Sequence, residues 1–445
     1  MKKSLRLITA ISFAATGLVT VAILPASGAA KAHKVVCYRL VNNKVKSAKF
    51  NTKCPKPWTK TKPKPKPVVT SSLQGSNKAG DIDLAVPSSV TLTINGSSFD
   101  APEIGATTSG STAYSAGGKV SFSAYPAAGS GAGRTGITGG SLSIGFSDQP
   151  MTAAAGTLPT GVTESNYVQV PYILGGAVVA YNLGGGFNNN VKLTAAEVAA
   201  IYDGKITQWS NSQIVATNGG ASSSVGAALT QLGTANEPKD TIKVFYRNAS
   251  SGTTYAFTDW LNKAGASGHT ASGNPMEGSG ATWAATNIDG VANNPAMAQG
   301  IDDTLGAIGY VEYSYVLIPG NAAIEEAQLQ DAAGQWLLPS AANIGAAATA
   351  AGTNITPDSF SIVNEPGKNV WPFATYSWAI VPKTISSLAT CEASVKYLDW
   401  EAHYAQDAIA KGEGYVPMPA AVEAYTRAQL MTVTSGGTVC LTQKS

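Results

Sequence analysis

Arg247, Ser251, Gly252 and Thr253 belong to the run Arg247-Asn-Ala-Ser-Ser-Gly-Thr253, which separates the apolar segment Ile242-Lys-Val-Phe-Tyr246 from a helical-looking stretch at 255–264. A guanidinium fork takes two oxygens of one oxyanion, and the first amides of a helix lack intrahelical partners and carry the positive end of its dipole. The run therefore fits an anion site, and it fits equally a plain helix cap beside a surface arginine. Three further turns offer related chemistry. Asn95-Gly-Ser-Ser-Phe99 follows an apolar strand at 90–94 and presents hydroxyls and amides at its end. Gly129-Ser-Gly-Ala-Gly133 lets the backbone approach a ligand closely. Gly145-Phe-Ser-Asp-Gln-Pro150 puts the Asp148 carboxylate where a strand at 142–146 ends. Each alone reads as an ordinary glycine or Asx turn. Ligands of open α/β sheets bind at the carboxyl ends of strands, so the joint occurrence of four such turns favours one shared ligand.

The elements that must position these turns alternate. From Asp81 onward apolar strands interleave with helical segments, which predicts α/β layering. Thr194-Ala-Ala-Glu197 is a capping box that starts a helix ending before Gly204. Ile385, Leu388, Val395 and Leu398 mark another helix face, and Pro419 opens a last helix bearing Val422, Tyr425 and Leu430. The Ala/Gly-rich stretches 218–230 and 341–353 read as surface insertions, and no internal repeat is visible.

Composition bounds the function classes. A chain of 445 residues with 44% apolar and 13% charged residues can build two cored domains and is not disordered throughout. Residues 1–32 read as a secretory signal peptide: Lys2, Lys3 and Arg6, an apolar stretch, then Ala30-Lys-Ala32 as a cleavage site. Cys37 lacks the small residue that lipid attachment requires before it, so export without a lipid anchor is expected, to the periplasm, the cell wall or the medium. Four cysteines permit three pairings; proximity favours Cys37–Cys54 and Cys391–Cys440. All 27 acidic residues lie at or after Asp81, where 14 basic residues accompany them, whereas 34–66 hold ten Lys and one Arg. An acidic body cannot draw in an anion by its long-range field, so a site there must act through short, dry, directed hydrogen bonds. Residues 33–58 are expected to form a small basic disulfide hairpin turning at Asn42-Asn43. Residues 59–80 form a linker that opens with a stiff Lys-Pro repeat, and the arm 33–69 suits attachment to anionic cell-wall polymer or a phospholipid surface, or a solvated spacer. His33, His269 and His403 occupy unrelated contexts with no metal-ligand spacing or nucleophile elbow, so neither catalysis, metal, cofactor nor nucleic acid is expected.

Taken together, Gly96-Ser-Ser-Phe-Asp-Ala-Pro102, Gly129-Ser130, Gly145-Phe-Ser-Asp-Gln-Pro150, Ile201-Tyr-Asp-Gly-Lys-Ile-Thr-Gln-Trp209, Arg247 to Thr253 and Gly306-Ala-Ile-Gly-Tyr-Val-Glu-Tyr313 resemble the phosphate-binding proteins of ABC phosphate transporters, the PstS type, over 88–430. The resemblance implies a two-lobe, type II periplasmic-binding fold with a hinge crossed twice. Lobe one would be 81–172 plus 371–445, and lobe two 173–370. It implies phosphate contacts at Ser98, Phe99, Ser130, Asp148, Arg247, Ser251, Gly252 and Thr253, and delivery of phosphate to a membrane permease. Arsenate, or a surface-interaction role for the same fold, are the alternatives.

Asp148 would select for protonation: phosphate near neutral pH carries a proton that an acceptor-only carboxylate takes, and sulfate has none. Two positions depart from the pattern. Ser98 replaces a threonine, and Ala249 stands where the family places an acidic partner for the arginine. The freed guanidinium should attract phosphate more strongly and discriminate less between its protonation states.

Overall fold

The computed structural model describes residues 35–41, 44–50, 83, 85–153, 156–184, 190–266, 281–318 and 323–442. The expected signal peptide and linker, the Asn42-Asn43 turn and Cys54, hence the Cys37–Cys54 pairing, lie outside them. Strands β1 (Val35–Val41) and β2 (Lys44–Phe50) pair antiparallel, Val35 opposite Phe50.

The apolar run at 90–94 divides. β3 (Val90–Leu92) runs parallel to β5 (Val120–Phe122) in a small side sheet, while β4 (Ile94–Gly96), followed by α1 (Ala101–Thr108), enters the main sheet beside β6 (Ile144–Ser147). Between β5 and β6 lies α2 (Ser130–Thr138). β7 (Tyr167–Asn182) has every residue after its first buried, as expected of an apolar run covered on both faces. Then follow α3 (Ala195–Tyr202), α4 (Ser224–Thr234), β8 (Lys243–Arg247), α5 (Gly252–Leu261), β9 (Ile288–Val291), α6 (Asn294–Asp303), β10 (Ala307–Glu312) and β11 (Glu325–Glu326). The chain closes with α7 (Ala341–Ala351), β12 (Ala374–Pro382), α8 (Leu388–Trp400) and α9 (Ala420–Leu430). The main strand order is β4-β6-β12-β7-β10-β8-β9, with β11 added against β7.

One strand carries the chain from one sheet to the next. Residues 167–176 of β7 pair with β12, and 177–182 pair with β10, so one strand serves two sheets. The junction is Gly175-Gly176. A Cβ on Gly175 would lie 2.7 Å from the Phe99 ring, and one on Gly176 would lie 2.7 Å from Ile344 of α7; only glycine lets both pack there. The register slips between Ser377 and Trp378, which face Ile173 and Pro171. The residue skipped is Tyr172, next to Pro171, which has no amide for the ladder, so the bulge lies on β7.

The capping box at Thr194 and Glu197 forms, and α3 ends at Tyr202 as its sequence predicts. Two expectations need correction. The stretches 218–230 and 341–353 are not insertions: they contribute α4 and α7, which bury Leu229 and Leu232, and Ile344, Ala347 and Ala348. Alanine has the highest helix propensity, and these runs carry the few apolar residues a helix face needs. α5 begins at Gly252, before the expected 255, and Ala264 falls in the π-helical turn Asn262–Ala266 after its end. Cys391 and Cys440 are disulfide-bonded and tie α8 to the C-terminal segment.

Candidate ligand-binding site

Backbone geometry brings the four turns to one place. β4 and β6 end in Ser97 to Asp100 and in Asp148, α2 starts at Ser130, and from the other sheet β8 ends in Arg247 just before α5. Gly129, at the turn into α2, has φ 107°, a conformation reserved for glycine, and lies opposite the Ser250 carbonyl and Arg247 Nη2. Helices α1, α2, α5 and α6 all begin here, so their positive dipole ends and first amides, which lack intrahelical partners, converge without any net charge.

Hydrogen bonds fix which way each hydroxyl can act. Ser98 Oγ accepts from Asn294 N (3.0 Å) and Arg247 Nη1 (3.4 Å). Ser130 Oγ accepts from Gly252 N (3.0 Å) and Asp148 N (3.2 Å). A serine oxygen has two acceptor positions and one proton, so in both residues the proton is left to donate outward. Ser251 caps α5 by accepting from Thr254 N, which leaves its proton free in the same sense. Thr253 Oγ1 donates to Asp148 Oδ2 (3.1 Å), and Ser377 Oγ donates to Oδ1 (3.0 Å). Phe99 N donates to Ser97 Oγ (3.0 Å); Tyr315 OH and Tyr125 OH hold the Ser98 and Ser97 carbonyls at 2.8 and 2.7 Å, and Tyr415 OH holds that of Phe99.

Arg247 is 2% exposed, and its Nε donates to the Ala292 carbonyl at 3.1 Å. Among the described residues its Nη2 has no hydrogen-bond partner, a costly state for a buried charged donor unless a ligand oxygen meets it. The backbone carbonyl of Ala292 thus helps hold the guanidinium that has alanine at 249. A neutral acceptor orients the fork without cancelling its charge. Burial lowers the Arg247 pKa, opposed by Tyr310 and Asp148. Burial raises Asp148, while hydrogen bonds from Ser97, Ser377 and Thr253 and the charge on Arg247 pull it back. Asp100 is driven well above the ordinary carboxylate range, by burial and then by Asp148, and Glu312 is pushed up to about 8 by burial, so Asp148 is the neighbouring carboxylate best placed to bear charge.

Behind α5, Trp260 stacks on Phe373 and Phe257 on Tyr310, with ring centroids 5.5 and 4.2 Å apart. The Tyr310 hydroxyl reaches Thr254 Oγ1 (2.7 Å) and accepts from Arg247 N (3.1 Å). Buried aromatic packing of this kind is worth several kcal/mol and keeps the α5 N-terminus aimed forward.

All eight residues expected to line the site are in this cluster. Gly252 differs in detail: its amide is engaged by Ser130, and a Cβ there would lie 2.6 Å from Asp148 Cβ. Sequence reasoning missed Ser97, Arg134, Ala292, Asn294 and Ser377. Ser377 sits inside an apolar strand, and Asn294 comes from a helix that no motif marked. The only signal for Arg134 in the sequence was its place one helical turn after Ser130; in the structure it is 5% exposed, and burial pushes its pKa down to about 10, so it stays charged at neutral pH. Among the described residues no group of His, Cys, Asp or Glu could hold a metal ion.

Most of the chain is similar to known proteins. A PBP superfamily domain model matches residues 85–383. The phosphate-binding protein PstS of Pasteurella multocida is 30% identical over 310 residues, covering 69% of this chain and 81% of the relative. That of Haemophilus influenzae is 30% identical over 309 residues, covering 69% and 84%. Among solved structures, a phosphate binding protein from Stenotrophomonas maltophilia superposes with a TM-score of 0.53 at 17% identity, covering 76% of this chain and 94% of that one. A DING protein gives 0.56 at 18% identity, covering 78% and 96%. The fold is the two-lobe, type II periplasmic-binding fold. By family model, sequence and architecture alike, the chain belongs to the PstS-type phosphate-binding proteins of the PBP superfamily.

Proposed function

We infer that this protein captures one inorganic phosphate in the cleft between its two lobes and hands it to an ABC permease. The observation that carries the reading is the pairing of outward-facing donors with one acceptor. Ser98, Ser130 and Ser251 keep protons to donate and Arg247 Nη2 has no hydrogen-bond partner among the described residues, while Asp148 alone offers a carboxylate. A tetraoxo anion that still bears a proton satisfies both kinds of group, and a fully ionised one leaves Asp148 facing a like charge. Phe99, Gly252 and Thr253 complete the contact set. The lobes would be 81–172 with 371–445, and 173–370, hinged where β7 passes between the sheets and where the chain enters β12. Phosphate binding would bias an equilibrium between open and closed forms.

The family is one of solute-binding proteins that act outside the cytoplasm, and catalysis is not part of this reading. No helix among the described residues is long and apolar enough to cross a membrane. The basic arm 33–69 would anchor the protein to anionic cell-wall polymer after removal of 1–32. Arsenate, which also carries a proton, is expected to compete. Calorimetric titration of the purified chain with phosphate, arsenate and sulfate tests the reading. Saturable binding of the first two at one site is expected, and heat from sulfate equal to that from phosphate would overturn it.

A further inference from the structure

Ser250, one residue before the α5 cap, is gripped by the first turns of α2 from the opposite side of the cleft. Arg134 Nη2 donates to Ser250 Oγ (3.1 Å), and Gly131 N donates to the Ser250 carbonyl (3.1 Å). The same arginine is anchored on its own side by Nη1, which donates to Ser147 Oγ (2.9 Å) and the Gln149 carbonyl (3.4 Å). The approach is close: a Cβ on Gly131 would lie 2.6 Å from Ser250 Cβ and 2.8 Å from its Oγ. Gly131 has no positive φ and lies inside a helix, so backbone conformation does not demand glycine there. The approach of Ser250 does.

We propose that Arg134, Gly131 and Ser250 form a latch between the two sides of the cleft that sets how long the closed form retains its anion. This rests on the reading of the protein as a hinged phosphate binder. Neither Arg134, Gly131 nor Ser250 is in the ligand-contact set, so the latch acts on closure and not on recognition. Forming it desolvates a guanidinium edge against a hydroxyl and joins two backbones, and both contacts are lost when the sides part. Its free energy therefore adds to the barrier for opening, which appears in the dissociation rate. Arg134 is a positioning residue: it never needs to touch the phosphate.

The test uses the full chain and inorganic phosphate, with association and dissociation rates read by stopped-flow tryptophan fluorescence. Ser250→Ala removes one charge-assisted hydrogen bond, and the dissociation rate should rise about tenfold with the association rate within about twofold. Gly131→Ala should weaken phosphate binding on the order of a hundredfold while leaving the melting temperature without phosphate unchanged or raised, since alanine suits a helix better than glycine. In the double variant Gly131→Ala/Ser250→Gly the obstructing Cβ and Oγ are gone, and affinity should recover to within several-fold of the Ser250→Gly single variant. The ratio of phosphate to sulfate affinity should stay constant throughout. Unchanged dissociation in Ser250→Ala, no recovery in the double variant, or a ratio that moves with the rates would overturn the latch while leaving the phosphate reading intact. A parent chain that binds no phosphate would overturn both.

Discussion

Replacing Asp148 with asparagine isolates the group on which selectivity turns. In the parent, the carboxylate accepts from Thr253 and Ser377 and keeps further lone pairs for the ligand. Asparagine retains the shape and one acceptor oxygen but turns the other position into a donor. Phosphate loses a charge-assisted hydrogen bond worth about 1.5–3 kcal/mol, a roughly 10- to 150-fold weakening. Sulfate, by contrast, loses a like charge at roughly 4 Å. With an effective dielectric of about 20 that repulsion is about 4 kcal/mol, close to a thousandfold gain. The phosphate-to-sulfate ratio should therefore collapse by about four orders of magnitude, mostly through sulfate. The same logic predicts that in the parent, sulfate exclusion relaxes as pH falls, because burial raises the Asp148 pKa and a protonated carboxyl donates to sulfate. Competition calorimetry of both anions against both proteins reads these numbers. If Asp148→Asn still excludes sulfate and binds phosphate as the parent does, the role given to this carboxylate is wrong.

Other expectations follow from the same geometry. Ala249→Asp should weaken phosphate binding by neutralising Arg247, and should sharpen its dependence on pH; the parent's affinity should vary smoothly from pH 5 to 9, and a sharp fall on one side would contradict this. Glu401 and Glu312 are both pushed up to about 8 by burial from ordinary values near 4.5. These two groups thus hold more protons in the folded than in the unfolded chain across that window, so their contribution to stability is greatest below about 4.5, falls as pH rises toward 8 and flattens beyond; each group can contribute up to about 1.4 kcal/mol per pH unit. A urea midpoint that is higher at pH 8.5 than at pH 5.5 would refute the sign. Phe257→Ala removes the ring stacked on Tyr310 and should destabilise the chain by about 3–5 kcal/mol, measured by urea unfolding. Replacing Cys391 and Cys440 by alanine frees a loop of sequence separation 49 and should cost about 4 kcal/mol on chain-entropy grounds, seen as a lower melting temperature.

The site was largely legible in sequence because its residues lie in turns, where glycine, serine and aspartate signal backbone geometry directly. Ser98, Ser130, Asp148 and Arg247 each close an apolar strand or open a helix, which short-range pattern shows, but only the family resemblance joined them into one expected contact set. What escaped is what depends on pairing between distant strands. Ser377 reaches Asp148 at a register slip against Ile173 and Pro171 of another strand, and nothing local to Ser377 announces it. Asn294 arrives through α6, whose first amide meets Ser98 across 196 residues of sequence. The residues of β7 do not by themselves mark a change of sheet: the run is largely apolar throughout, and only its partners change at Gly175-Gly176. The helices α4 and α7 were missed because alanine- and glycine-rich runs lack the contrast between apolar and polar faces that makes a helix visible.

A crystal structure of the chain grown with inorganic phosphate tests the central claim most directly. It should show one tetrahedral ion buried between the sheets, an oxygen on Arg247 Nη2, which has no hydrogen-bond partner among the described residues, and another on the Asp148 carboxylate, with the Ser98 and Ser130 hydroxyls completing the shell. Phosphate density elsewhere, or an ion here that avoids Asp148, would contradict the account.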